Sequence, residues 1–234
     1  MTNQPIVTMQ RSELKYILTK AQNELLIERL IGHMEPDAYG LTTIASLYYD
    51  TPDYRLIRAS IEKPAYKEKL RLRSYGPATN GSPVFLELKR KADGIVYKRR
   101  IVTSIPQAQA FVSGKAPLSG DGQIERELTY FRDYYGSLVP TCMILYDRIA
   151  YYEPNGDLRL TVDRRPRYCT DDFSFRNLDR GIPLLHPGET ILELKVQDTI
   201  PLWLLRILSD GGIRRGSISK YGEAYERQLR KQAM

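Results

Sequence analysis

The run Lys69-Leu70-Arg71-Leu72-Arg73 places a cation at every second position and a leucine between each pair. Side chains of a β-strand alternate between its two faces, so Lys69, Arg71 and Arg73 share one face and Leu70 and Leu72 the other. The pattern recurs. Glu87 and Lys89 align in ELK, Lys98 and Arg100 in YKRR, and Glu13 and Lys15 in RSELKY, with Arg11 on the same face. Arg159, Thr161 and Asp163 align in RLTVD, and Glu193 aligns with Lys195 in a second ELK. A solvated outer surface explains any one such face. It explains six together poorly, and it gives no reason for single acids set two positions before a lysine.

The remaining segments supply the frame. Strands are predicted at 11–18, 43–49, 66–75, 84–91, 95–103, 141–152, 157–163 and 190–197. Ala92-Asp93-Gly94 and Asn155-Gly156 read as hairpin turns, because Asp-Gly and Asn-Gly reach φ > 0 cheaply. A helix fits 20–33, with Thr19 and Gln22 as a capping box. Helical patterning covers 104–136, Pro201 opens a helix to about Ser209, and a charged helix fits 222–231. Asp50 in YYDTP reads as an N-terminal cap for a helix beginning at Pro52, and Trp203 as packing for the last apolar helix. No long linker, repeat or low-complexity tract interrupts the 234 residues, so one domain is expected over 1–234. The expected class is α+β and β-rich: an antiparallel barrel of about eight strands, or a strongly curved sheet, with helices packed outside.

With 35 Lys and Arg against 28 Asp and Glu, the net charge of +7 points to an acidic partner. The N-terminus has no signal-peptide pattern, and no apolar run approaches the ~18 residues of a membrane span. A cytoplasmic protein is expected. Cys142 and Cys169 stand in no CxxC; Cys142 lies in an apolar run and reads as a core thiol. His33 and His186 have no partner at metal-ligand spacing, and HExxH, GxSxG, Walker A and GxGxxG motifs are absent.

Charged faces turned into a barrel would repel one another, by on the order of a few kcal/mol for cations a few Å apart. Interleaved glutamates and a bound polyanion would offset this. Arginine gives forked hydrogen bonds to phosphate oxygens and lysine a compact charge, so a chain of phosphates suits such a lining. Tyr48, Tyr49, Tyr66, Tyr75 and Tyr97 could stack on nucleic-acid bases, but strand tyrosines more often pack, and no nucleic-acid motif accompanies them. Nucleic acid is the disfavoured partner.

RSELKY, KLRLR, ELK, YKRR, YDR at 146–148, RLTVD, the second ELK and SKY at 219–221 occur in the order found in the VTC domain. The chain thereby resembles the polyphosphate polymerase domain of the triphosphate tunnel metalloenzyme superfamily, from Arg11 to about Tyr221. The resemblance implies a β-tunnel holding ATP, triphosphate or polyphosphate with Mn²⁺ or Mg²⁺. It implies phosphate contacts from Lys15, Arg71, Arg73, Lys89, Lys98, Arg148, Arg159 and Lys220, with Arg100 and Lys195 on the same faces, and a metal at Glu193. The family often has a second basic residue three positions before the SKY lysine. Here that position is Ser217, with Arg214 or Arg215 as substitutes. The membrane-spanning and SPX segments of the eukaryotic polymerases are not in this sequence, which makes a separate membrane protein a candidate partner. The implied reaction is transfer of the γ-phosphoryl of ATP to a growing chain. Hydrolysis at the same site and non-catalytic polyphosphate sensing are the alternatives. Hydrolysis would need a base to activate water, and Glu13 and Glu87 are candidates, although pairing with the neighbouring lysines is the favoured role for both.

Overall fold

The computed structural model describes residues 12–62, 64–93, 95–197 and 199–230. Arg11, Gly94 of the first hairpin turn and Lys231 at the end of the last predicted helix lie outside them. In chain order the elements are β1 (Ser12–Leu18), α1 (Lys20–Leu30), β2 (Glu35–Pro36), β3 (Thr42–Asp50), α2 (Arg55–Ile61) and β4 (Tyr66–Tyr75). Next come β5 (Val84–Ala92), β6 (Ile95–Thr103), α3 (Ile105–Val112), α4 (Gln123–Tyr135), β7 (Val139–Tyr152) and β8 (Arg159–Cys169). The chain continues with β9 (Ile182–Pro183), β10 (Thr190–Val196), α5 (Leu202–Asp210), β11 (Arg215–Gly216), α6 (Lys220–Ala224) and a π-helical turn at Tyr225–Leu229. The chain folds into two compact units, with β7 and β8 each contributing to both.

The first unit comprises residues 1–41, 148–164 and 187–217. Its ladder runs β11-β1-β10-β8, all antiparallel. One face of these strands, with Tyr16, Leu18, Leu160, Val162, Leu192 and Leu194, packs with Leu26 and Leu30 of α1 and Leu204, Ile207 and Leu208 of α5. Each such side chain contributes roughly 1.5–3 kcal/mol on burial. The Thr19–Gln22 capping box forms as expected and starts α1 immediately after β1. His33 stacks flat on Trp203 at 4.2 Å, joining the end of α1 to α5.

The second unit comprises residues 42–147, 165–186 and 218–234. Here β4 pairs with β3 and β5, and β6 pairs with β5, all antiparallel. The leucine face (Leu70, Leu72, Leu86, Leu88) packs with Ala108, Phe111 and Val112 of α3 and Leu128 and Phe131 of α4. The single helical stretch predicted at 104–136 is two helices, parted by a Gly- and Ser-containing segment in which Gly114 sits at φ 73°. Asp50 does cap a helix: its carboxylate accepts from the backbone N–H of Leu56 and Ile57. That helix begins at Arg55, three residues later than predicted.

The mixed α+β, antiparallel architecture with helices on the apolar strand faces is the one expected. The strand count is not. The hydrogen-bonded strand order β11-β1-β10-β8-β7-β3-β4-β5-β6 ends on β11 and β6 among the described residues. β11 has only two residues, too short to offer a ladder of backbone groups. Among the described residues the hydrogen-bonded path is therefore longer than eight strands.

Candidate functional site

Register sorts the charged residues of the second unit into rows. Lys69, Lys89 and Lys98 stand directly opposite one another across β4, β5 and β6; Arg71, Glu87 and Arg100 form the next row. Arg73 follows, opposite Ser46 on one side and Phe85 on the other. Like charges directly opposite on neighbouring strands destabilise a sheet, so the lysine row has an energetic cost in the empty protein.

Glu87, 1% exposed, offsets part of that cost. Its carboxylate accepts from Arg71 Nε at 2.8 Å and Arg100 Nε at 2.7 Å, pairs with Lys98 Nζ at 2.9 Å and lies 3.8 Å from Arg73 Nη1. Burial pushes its pKa up, but Arg71, Arg73 and Lys98 outweigh burial and hold it well below the usual carboxylate range. Burial lowers the Lys98 ammonium, an effect Glu87 only partly opposes. Two tyrosines complete the set. Tyr48 Oη accepts from Arg71 Nη1 at 3.1 Å, and Tyr146 Oη from Arg73 Nη2 at 3.2 Å. Burial raises the Tyr48 phenol, yet the fields of Arg71, Lys69 and Arg73 win and bring it down to about 8.

The SKY motif joins the same face through the C-terminal segment. Tyr221 stacks on Tyr48 at 4.5 Å and donates to Asp50 at 2.9 Å, while Ser219 accepts from Lys69 at 3.3 Å. Between those two fixings, Lys220 Nζ lies 4.6 Å from the Tyr146 ring centroid. Asp50 thus ties together the start of α2 and the start of α6, which carries Lys220.

The charged face of the first unit is built differently. Lys15 stands opposite Glu193, which stands opposite Thr161; Glu13, Lys195 and Arg159 form the neighbouring row. Lys15 Nζ lies 3.2 Å from Glu13 and 3.3 Å from Glu193. Arg148 holds Asp163 with two forked contacts of 2.5 and 2.8 Å and reaches Glu193 at 3.0 Å. Arg159 is exposed and lies over the Tyr152 ring. Arg215 is opposite Tyr16, whose ring lies in the apolar core, so it does not share the Lys15 face as a substitute for Ser217.

The oxygen donors of this face are of the type a hard divalent ion takes, although Arg148 and Lys15 already pair with the carboxylate oxygens. Glu193 and Asp163 offer carboxylate oxygens joined by one guanidinium, and the buried Thr161 hydroxyl on the Glu193 row has no hydrogen-bond partner. Among the described residues no three His, Cys, Asp or Glu side chains surround a common point. Mg²⁺-like ions accept one or two carboxylates and take further oxygens from phosphate and water.

The sequence reading placed all of these residues on the charged faces of their own strands, turned into one lining. The register brings Arg71, Arg73, Lys89, Lys98 and Arg100 together across β4–β6, and Lys15, Arg159, Glu193 and Lys195 together across β1, β10 and β8. The sequence reading did not assign Tyr48, Tyr146 or Asp163 to a site. Their signal is cross-strand register, which a single sequence does not display. A further cluster lies where β8 was predicted to have ended: Arg165, at φ 45°, binds Asp147 at 2.7 Å and Asp179 at 3.0 Å. Cys142 and Cys169 are free and buried. No helix among the described residues is long and apolar enough to cross a membrane.

Two solved structures share the fold. One is a candidate adenylate cyclase from Bacillus halodurans, 15% identical, with a TM-score of 0.58 over 94% of this chain and all of that one. The other is HpAC1 from Hippeastrum, a candidate adenylyl cyclase reported with a dominant triphosphatase activity; it is 20% identical, with a TM-score of 0.54 over 94% of this chain and 96% of that one. No curated protein sequence matches. The family model of the VTC domain matches residues 10–228, through both units, and the chain belongs to that family.

Proposed function

We propose that this chain is a polyphosphate polymerase-like phosphotransferase that moves the γ-phosphoryl of ATP onto a growing polyphosphate, as one functional domain over 1–234. The observation that carries the reading is the lysine row Lys69–Lys89–Lys98 beside Arg71, Arg73 and Arg100, with Glu87 set among them in the neighbouring row. Cations set at two-residue steps along strands suit an anion with regularly repeated charge. Lys15, Arg148, Arg159, Lys195 and Lys220 are the further phosphate contacts in this reading.

Phosphoryl transfer needs positioning and charge neutralisation more than covalent chemistry by the protein. Arg71 and Arg73, held by Glu87, Tyr48, Ser46 and Tyr146, are oriented before a ligand arrives, so little reorganisation is required as charge develops on the transferring group. A terminal phosphate is already ionised near neutrality and needs no base to attack. Glu87 is a poor base, since its cations keep it ionised and engaged; Glu13 is paired to Lys15. Glu193, with Asp163 and Thr161 beside it, would hold Mn²⁺ or Mg²⁺, which supplies charge neutralisation on phosphate oxygens. The alternative on the same residues is hydrolysis, the activity reported as dominant in the Hippeastrum protein.

Incubation with ATP and Mn²⁺ should yield ADP and long phosphate chains resolvable on a gel. Free phosphate without chain growth would establish the hydrolase instead. Tight polyphosphate binding with no turnover in any divalent metal would leave a sensor.

A further inference from the structure

The charged face of β4–β6 changes character along the strands. Beyond the lysine row and the row of Arg71, Glu87 and Arg100, Phe85 and Val102 stand opposite each other, and Tyr75 follows Arg73 on the same side of β4. These three are not a buried cluster: Tyr75 is 47% exposed and Val102 66%. Tyr75 and Phe85 are nevertheless ordered by Arg100 of the cationic rows. Arg100, which binds Glu87 through Nε, lies 4.3 Å from the Phe85 ring centroid and donates to Tyr75 Oη at 2.6 Å. The Tyr75 and Phe85 rings meet edge to face at 5.5 Å. One guanidinium therefore couples an exposed aromatic ledge to the proposed phosphate site.

We propose that Tyr75, Phe85 and Val102 form a subsite for the planar base of a nucleoside triphosphate, which lies along β4–β6 with its terminal phosphate toward Lys69, Lys89 and Lys98. The inference rests on the phosphate reading above and adds to it a base subsite and a direction. Six residues of strand separate Tyr75 from Lys69, about 20 Å, a length of the order of an extended nucleoside triphosphate. Aromatic rings and guanidinium planes accept any base by stacking, and Tyr75, with its hydroxyl already fixed, loses little freedom on doing so. No base-edge hydrogen-bonding set accompanies the ledge in this assignment, so purine should bind better than pyrimidine through its larger stacking area and not through edge recognition.

The test is calorimetric titration of the full chain, in Mg²⁺, with β,γ-imido-ATP and with inorganic triphosphate carrying the same imido bridge. Tyr75→Ala should weaken the nucleotide about tenfold, the scale of one lost base–aromatic stack, and leave the inorganic ligand nearly unchanged. Tyr75→Phe, which keeps the ring and loses the Arg100 hydrogen bond, should retain nucleotide affinity. Equal weakening of both ligands by Tyr75→Ala would mean that Tyr75 acts only through Arg100, and no weakening of either would mean that no base rests there. Either result overturns the subsite and leaves the phosphate reading intact. Wild-type protein that binds neither ligand overturns both.

Discussion

The charged faces of the two units use the same strand alternation and reach different electrostatic states. On β4–β6, Lys69, Lys89, Lys98, Arg71, Arg73 and Arg100 stand in rows with Glu87, which gathers Arg71, Arg73, Lys98 and Arg100. On the other face, Lys15, Arg148, Arg159 and Lys195 are set against Glu13, Asp163 and Glu193. The first face is rich in cations set opposite one another and gains most from an anion. The second is close to neutral, and its carboxylates are held in fixed directions by Arg148 and Lys15. Binding a phosphate chain and holding a metal make opposite demands on net charge, and this division would let one chain meet both.

The largest test of that contrast is removal of the central acid from each face. Glu87→Gln leaves Arg71, Arg73, Lys98 and Arg100 without their shared counter-charge. Breaking a buried ion pair on one side costs about 3–5 kcal/mol, so the empty variant should melt roughly 10 °C lower. Saturating triphosphate should return more of that loss than the stabilisation it gives the wild type. Asp163→Asn, which leaves Arg148 with Glu193 as counter-charge, should lower the melting temperature less, with a smaller extra rescue. Equal rescue of the two variants in thermal melts would dissolve the distinction.

Ligand affinity sharpens it further. Arg71→Ala removes forked, charge-assisted contacts worth about 1.5–3 kcal/mol, and should weaken triphosphate roughly 10- to 100-fold while the fold survives. Arg71→Lys should recover only part of this, because an ammonium cannot reproduce the fork. Glu193→Gln should act through the metal: the gain in triphosphate affinity between chelated and Mn²⁺-loaded titrations should disappear. A variant that keeps the full gain would remove Glu193 from the metal site.

Alternation made the faces legible because it needs only one strand at a time. Lys69, Arg71 and Arg73 declare a common side in five residues, and the Glu13–Lys15 pair two positions apart forms as read. The acids in the two ELK motifs were harder. Their sequence spacing draws attention to Lys89 and Lys195, whereas Glu87 gathers Arg71, Arg73, Lys98 and Arg100 from neighbouring strands, and Glu193 gathers Lys15 and Arg148. Side chains directly opposite across a ladder are closer than those two apart along a strand, so pairing decides partners. Pairing also brought Tyr48 beside Arg71, which a single strand full of tyrosines hides. The extension of β8 past Arg165 was missed because a left-handed arginine inside a strand has no local signal.

Tyr48 provides the smallest expected effect and one that separates site chemistry from packing. Its phenol is brought from an ordinary 10 down to about 8 by Arg71, Lys69 and Arg73 acting against burial. Below about 8 it is neutral; above, it adds a negative charge beside Arg71. Stability and binding should then move in opposite directions. The folded state prefers the phenolate, so this group's stabilisation is fully present above its unfolded value near 10 and is lost as pH falls through 8. Triphosphate, by contrast, meets one more repelling charge as pH rises through 8, a penalty on the order of 1 kcal/mol, or about fivefold in affinity. Tyr48→Phe should abolish that step in a binding series across the alkaline range. A shallower decline should persist in the variant, because the lowered Lys98 ammonium also begins to lose its proton earlier than an ordinary lysine. Superimposable curves for wild type and Tyr48→Phe would return Tyr48 to a packing role beside Tyr221.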